Sequence, residues 1–230
     1  MFNRVAAAVL VLSLAACAAP RPRPPVPQVP TAAALTSLPA PGEYKIDSGV
    51  SELRLLVYRA GPLSNLGHNH VMVNRELTGI VRIGDSISAS SFSVRVPVDG
   101  FVVDDLLARE EEGGDFPGDI PQEAKEGTRR NMLSAAVLNA AAFPDITVKS
   151  LALAGTLDAL SADMEISAAG HSSRISAPLY LLGDAQHVTA VGLMELRQTA
   201  LGLTPYSLLG GALQVQDAMQ LKFKVTLATN

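Results

Sequence analysis

The sequence predicts an all-β domain, a closed antiparallel eight-stranded barrel with a helical insertion between its early and later strands. From Gly42 onward apolar and polar residues alternate, the period that puts successive side chains on opposite faces of a strand. The alternating stretches number about eight, mostly joined by short turns of Gly, Asp or Ser. Consecutive antiparallel strands with one apolar face can close on themselves and lose their exposed edges. A barrel of eight encloses an interior that side chains fill or that holds one small ligand.

The N-terminus reads as a targeting segment outside that fold. Arg4 gives a positive start, and Val5 to Leu14 form an apolar run too short to span a bilayer. The run ends in Leu14-Ala15-Ala16-Cys17, which resembles a bacterial lipobox, with Cys17 as acceptor of a diacylglyceryl group. Cys17 is the single cysteine of the chain, so it has no disulfide partner within it, and lipidation accounts for its presence. Residues 1–16 are therefore expected to be a lipoprotein signal peptide. Stable anchoring needs more than one acyl chain, which a mature lipoprotein anchor supplies. Ala18, where an Asp would favour inner-membrane retention, points to an outer-membrane anchor facing the periplasm of a bacterial envelope. Residues 17–41 are rich in Pro and Ala, with Arg-Pro-Arg-Pro-Pro at 21–25, and favour extended polyproline II. They are expected to be a semi-rigid tether.

Residues 42–230 suffice for one domain whose core needs no disulfides. The formal net charge of −4 with scattered basic residues argues against nucleic-acid binding. Tryptophan is absent and aromatics are 4% of the chain, which argues against stacked-ring recognition of sugars or bases. No later segment is long and apolar enough to cross a membrane as a helix.

Within the domain, Glu52–Arg59 and His70–Ile83 alternate first. Ser91–Val98 places Phe92, Val94, Val96 and Val98 on one face, opposite Ser91, Ser93 and Arg95. Asp145–Leu153, Thr156–Ser167, Ser172–Leu182 and His187–Gln198 follow. In the last strand Met219, Leu221, Phe223, Val225 and Leu227 alternate with Gln220, Lys222, Lys224 and Thr226. Residues 104–142 break the pattern. Asp104–Glu112 and Pro121–Ala142 read as helices around the Gly113–Gly118 breaker, with Met132, Ala135, Ala136 and Asn139 on one helical face. This insertion is expected over one mouth of the barrel, and its run Arg109-Glu110-Glu111-Glu112 reads as a solvated surface rather than a metal site.

In order and spacing, these landmarks resemble the YceI-like family. Residues 42–47 resemble the family's opening strand, Asn65–Val71 its histidine-containing turn, and Phe92–Val96 the next strand. Arg130–Leu133 resembles its arginine-led helix start, followed by Phe143–Ser150. Gly170-His171 and Arg174–Pro178 resemble a strand-turn-strand segment, and Leu201-Gly202-Leu203 precedes the closing strand. The resemblance covers residues 42–229 and implies a lipocalin-like barrel that binds a polyisoprenoid or another long apolar molecule. The chain departs from the pattern in the acidic insertion around Arg109–Glu126 and in carrying His-Asn-His where many relatives have one histidine.

The apolar face supplies candidate ligand-lining residues: Phe92, Val94, Val96, Ile146, Val148, Met194, Phe223 and Val225. Each methylene of an acyl or isoprenyl chain buried among them would contribute roughly 0.8 kcal/mol. The same residues could instead fill the barrel, and alternation alone does not separate the two; the family resemblance favours a cavity. The sharpest local feature is His68-Asn69-His70. On extended backbone both imidazoles share a side, and with His171 or His187 they would make a three-nitrogen zinc or copper site. Gly67 and Asn69 suggest a turn instead, where the histidines hydrogen-bond the backbone. Neither a nucleophile elbow, a phosphate loop, a His-Glu-x-x-His pair nor a dinucleotide fingerprint is present, so no enzyme is expected. The expected function is a lipid-anchored periplasmic binding or carrier protein for an isoprenoid or acyl lipid. Its partners are that hydrophobic molecule and the membrane, with no nucleic acid and no cofactor other than a bound lipid or isoprenoid quinone. The alternatives are a metal-binding envelope protein using His68 and His70, and a structural or partner-binding lipoprotein with a filled barrel.

Overall fold

The computed structural model describes residues 33–184 and 186–228. The expected signal peptide, Cys17 and the expected tether up to residue 32 lie outside the described residues. The early strands are β1 (Gly42–Lys45), β2 (Glu52–Val57), β3 (Arg59–Ala60), β4 (His70–Asn74), β5 (Thr78–Ile83), β6 (Ser91–Pro97) and β7 (Val102–Val103). Helices α1 (Leu106–Glu112) and α2 (Gln122–Leu133) intervene. The later strands are β8 (Asp145–Thr156), β9 (Ala159–Ala168), β10 (His171–Gly183), β11 (Val188–Arg197), β12 (Ser207–Leu208), β13 (Leu213–Val215) and β14 (Ala218–Thr226).

Eleven strands form one antiparallel sheet in the order β1-β5-β6-β8-β9-β10-β11-β14-β2-β4-β7, and β12-β13-β3 form a small second sheet. The large sheet curls into an open half-barrel with β1 and β7 as edges, not the closed eight-stranded barrel that the sequence predicts. The reason lies in two bends. The stretch predicted as one strand over His70–Ile83 breaks after Asn74, whose buried side chain accepts from the Glu76 amide at 2.9 Å and donates to the Pro97 carbonyl at 2.7 Å. The segment before it bends likewise between β1 and β2. The hairpin therefore splays, with β2 pairing β4 while β1 pairs β5, and the two halves sit in different parts of the sheet. An isolated bridge, Ile46 to Leu227, joins the turn after β1 to the end of β14.

The long strands follow the predicted alternation. In β9 Leu160, Ala162, Met164, Ile166 and Ala168 are buried between exposed or half-buried neighbours. Residues 169 and 170 join β9 to β10 with φ values of 47° and 83°, the two-residue turn whose twist suits a hairpin. Gly170 is required there, because a Cβ would lie 2.6 Å from the Phe143 ring. Strand β8 holds a bulge between Ser150 and Ala152 that exposes Leu151. The extra residue shifts the parity, so Ile146 and Val148 and then Leu153 face the concave side.

The insertion is less helical than expected. Helix α1 starts after Asp105, whose side chain accepts from the Ala108 amide at 3.0 Å, and α2 ends at Leu133 rather than Ala142. Ser134 turns extended and donates its hydroxyl to the Asn131 carbonyl at 2.7 Å, and Asn139 adopts φ of 46°. The predicted face of Met132, Ala135, Ala136 and Asn139 therefore does not form, although Met132, Leu133, Val137 and Leu138 still pack on the main core. Arg109-Glu110-Glu111-Glu112 is also not simply a solvated surface. The Arg109 side chain is 2% exposed, and Glu112 bonds Arg54 at 2.9 Å and Lys222.

The expected tether boundary at residue 41 is too late. Ala34 bridges Leu182, the Leu35 amide donates to the Leu181 carbonyl at 2.9 Å, and Leu35 is buried against Val188 and Leu227. The folded unit begins at Ala33 at the latest.

Candidate functional site

Two cavities lie end to end inside the curled sheet. The larger, of about 340 Å³, reaches Leu55, Ile146, Leu196 and Met219, and the smaller, of about 170 Å³, reaches Phe92, Leu160, Val188 and Leu227. They share Leu53, Val96, Val148, Ile166 and Leu221, a ring of inward side chains from five strands. Along β14 the lining passes from Met219 and Leu221 in the larger cavity to Phe223, Val225 and Leu227 in the smaller. Along β11 it passes from Leu196 to Met194 and Val188. Together the two adjoining cavities make a channel along the strands, interrupted at the shared ring. Its length along β14, from Met219 to Leu227, is roughly 26 Å at the usual strand rise.

All the predicted lining residues border this channel. Ile146 lines the larger cavity, Val96 and Val148 stand in the ring, and Phe92, Val94, Met194, Phe223 and Val225 line the smaller one. Gly192 lies opposite Phe223 in the β11–β14 pairing, and the missing side chain leaves room for the ring.

Polar groups gather at one end. His68, His70, Arg59, Tyr58, Gln198 and Tyr206 all border the larger cavity, whereas the smaller is almost wholly apolar. Behind His70 stands a buried ion pair. His70 Nδ1 lies 2.6 Å from Asp104 Oδ2, while Asp104 Oδ1 accepts from the Val71 amide at 3.0 Å and from Arg109 Nη1 at 2.6 Å. Arg109 also donates to the carbonyls of Asn69, Pro117 and Gly118, so one side chain ties the insertion to the start of β4. Asp104 is fully buried with φ of 55°, a left-handed conformation that Asp tolerates better than most residues. Burial would push its carboxyl up, but hydrogen bonds from His70 and Val71 and the Arg109 charge outweigh that and hold it below the ordinary carboxylate value. An ionised Asp104 fixes the His70 proton on Nδ1 when the ring is neutral, leaving Nε2 for a ligand. Burial and the neighbouring His70 hold the His68 pKa below that of a free histidine.

The two histidine rings meet edge to face with centroids 6.2 Å apart. Among the described residues no three His, Cys, Asp or Glu side chains gather as a metal centre requires. His171 packs against Gly202 and His187 beside Asp184, so neither completes the three-nitrogen site considered from the sequence. Sequence reasoning missed Asp104 and Arg109, and also Leu35, Leu38 and Pro39, which line the smaller cavity. Leu35 and Leu38 carried a weak signal, two leucines one helical turn apart in an otherwise polar and small stretch.

No family model and no curated protein matches the sequence. Solved structures do match. BcnA of Burkholderia cenocepacia superposes with a TM-score of 0.58 at 12% identity, covering 80% of this chain and 99% of that one. A polyisoprenoid-binding domain from Saccharophagus degradans gives 0.53 at 10% identity, over 81% and 98% of the two chains. The YceI protein of Campylobacter jejuni gives 0.50 at 10% identity, over 69% and 84%. At such identities the likeness speaks for the fold, and the chain has the YceI-like fold.

Proposed function

We propose that this chain is a non-catalytic binding or carrier protein for a long amphiphile, an isoprenoid or acyl lipid, held with its tail in the channel and its head at the histidine end. The observation that carries the reading is the channel's polarity: apolar walls along its length, with His68, His70, Arg59 and Tyr206 at one end. A linear chain gains roughly 0.8 kcal/mol for each methylene that it buries there. The polyisoprenoid binding for which the Saccharophagus degradans domain is described supports the same ligand class. His70 and Asp104 resemble a base with its orienting carboxylate. No hydroxyl or thiol among the described residues hydrogen-bonds His70, however, and the pair is better explained as the support of the polar end.

The lipobox-like sequence at Cys17 supports anchoring in the bacterial envelope, facing the periplasm. Titration of the full chain with a fluorescent polyene fatty acid tests the binding reading. Saturable binding at one site per chain, displaced by long prenols or fatty acids, is the expected result, and no saturable binding would overturn it. The intact mass of the chain purified from membranes tests the anchor, which requires a diacylglyceryl group on Cys17.

A further inference from the structure

We infer, resting on the binding reading above, that Leu35 is a specificity-determining residue that sets the longest tail the channel accepts. The far end of the channel is the end away from the histidines. There Val188, the first residue of β11, and Leu227, just past the end of β14, close on the side chain of Leu35, which is 2% exposed. Leu35 comes from outside the large sheet, on the stretch that precedes β1. Its backbone is held on both sides: the Leu35 amide donates to the Leu181 carbonyl and the Gly183 amide to the Ala33 carbonyl, each at 2.9 Å. Further along, the Tyr44 hydroxyl donates to the Ala40 carbonyl at 2.7 Å. Leu38 and Pro39 add to the wall of the same cavity. The channel is therefore stopped by a side chain on a tied strap. A change in that side chain alters the depth while leaving the strands that form the walls untouched.

A tail that grows from the histidine end gains about fourfold in affinity per added carbon while it has apolar wall to cover. The gain ends when the tail meets Leu35. The test uses the full chain and saturated fatty acids of increasing length, competing with a fluorescent polyene fatty acid. Wild type should show rising affinity up to a cut-off length. Leu35→Ala should move the cut-off to longer acids, and Leu35→Trp to shorter ones, with affinity for acids below both cut-offs unchanged within about twofold. A cut-off at the same length in all three proteins overturns the inference, as does an equal weakening at every length, which marks damage to the fold. If wild type binds no acid of any length, the binding reading falls with it; if it binds them and the cut-off stays fixed, only the role of Leu35 falls.

Discussion

The imidazole of His70 and the carboxylate of Asp104 meet at 2.6 Å, and the same carboxylate takes Arg109 at 2.6 Å on its other oxygen. One fully buried side chain therefore joins β4, which carries His70, to α1, which carries Arg109. Asp104→Leu strands the Arg109 charge among buried partners and should cost about 3 kcal/mol of unfolding free energy in urea. The double variant Asp104→Leu with Arg109→Met removes both charges and should recover part of that loss, the remainder lying in the Val71 amide and the Asn69, Pro117 and Gly118 carbonyls that lose their partners. A double variant as unstable as the single one would show that the ion pair itself, and not its relief, dominates.

Asp104 and His68 are both shifted, and the direction of each shift sets the sign of its own contribution in acid. Asp104 is held below its ordinary value, so its contribution is complete above about pH 4 and is lost as pH falls through its lower folded value. His68 is also held low, so the unfolded chain takes up protons first as pH falls below about 6.5, and stability declines there too. Unfolding midpoints measured across pH should fall in two steps, the first absent in His68→Gln. A single step unaffected by that change would contradict the assignment of His68.

Much of this was legible because strands announce themselves by parity. Phe92 to Val98 and Met219 to Leu227 alternate cleanly, and the structure turns their predicted apolar faces inward. The openness of the sheet was hidden in Asn74, a residue that alternation treats as an ordinary strand position but whose side chain caps the next turn. The polar end was half visible. His68-Asn69-His70 marked the place, but Asp104 lies 34 residues from His70 and its role depends on a contact that no local pattern encodes. Leu35 was hidden by composition, since proline and alanine around it read as tether.

The ring shared by the two cavities should act as a gate to the deeper one. Val148→Trp fills that ring, and a tail that loses even two methylenes of burial binds about fifteenfold more weakly. The overpacking itself should cost about 1–3 kcal/mol. Competition with long and short fatty acids separates these effects, because short acids confined to the larger cavity should keep their affinity.

Phe223 should be equally sensitive from the other side. A Cβ at position 192 would lie 2.4 Å from the Phe223 ring, so Gly192→Ala must push that ring into the smaller cavity. Affinity for long tails should fall while affinity for short ones holds. Uniform loss across chain lengths in equilibrium titrations would instead indicate a broken β11–β14 pairing.

The most direct test of the channel as a lipid site is the organic extract of the full chain, purified in detergent from bacterial membranes and analysed by mass spectrometry beside Val148→Trp. One isoprenoid or acyl amphiphile near one per wild-type chain, depleted in the variant, is the expected result. The same lipid background in both proteins would contradict it.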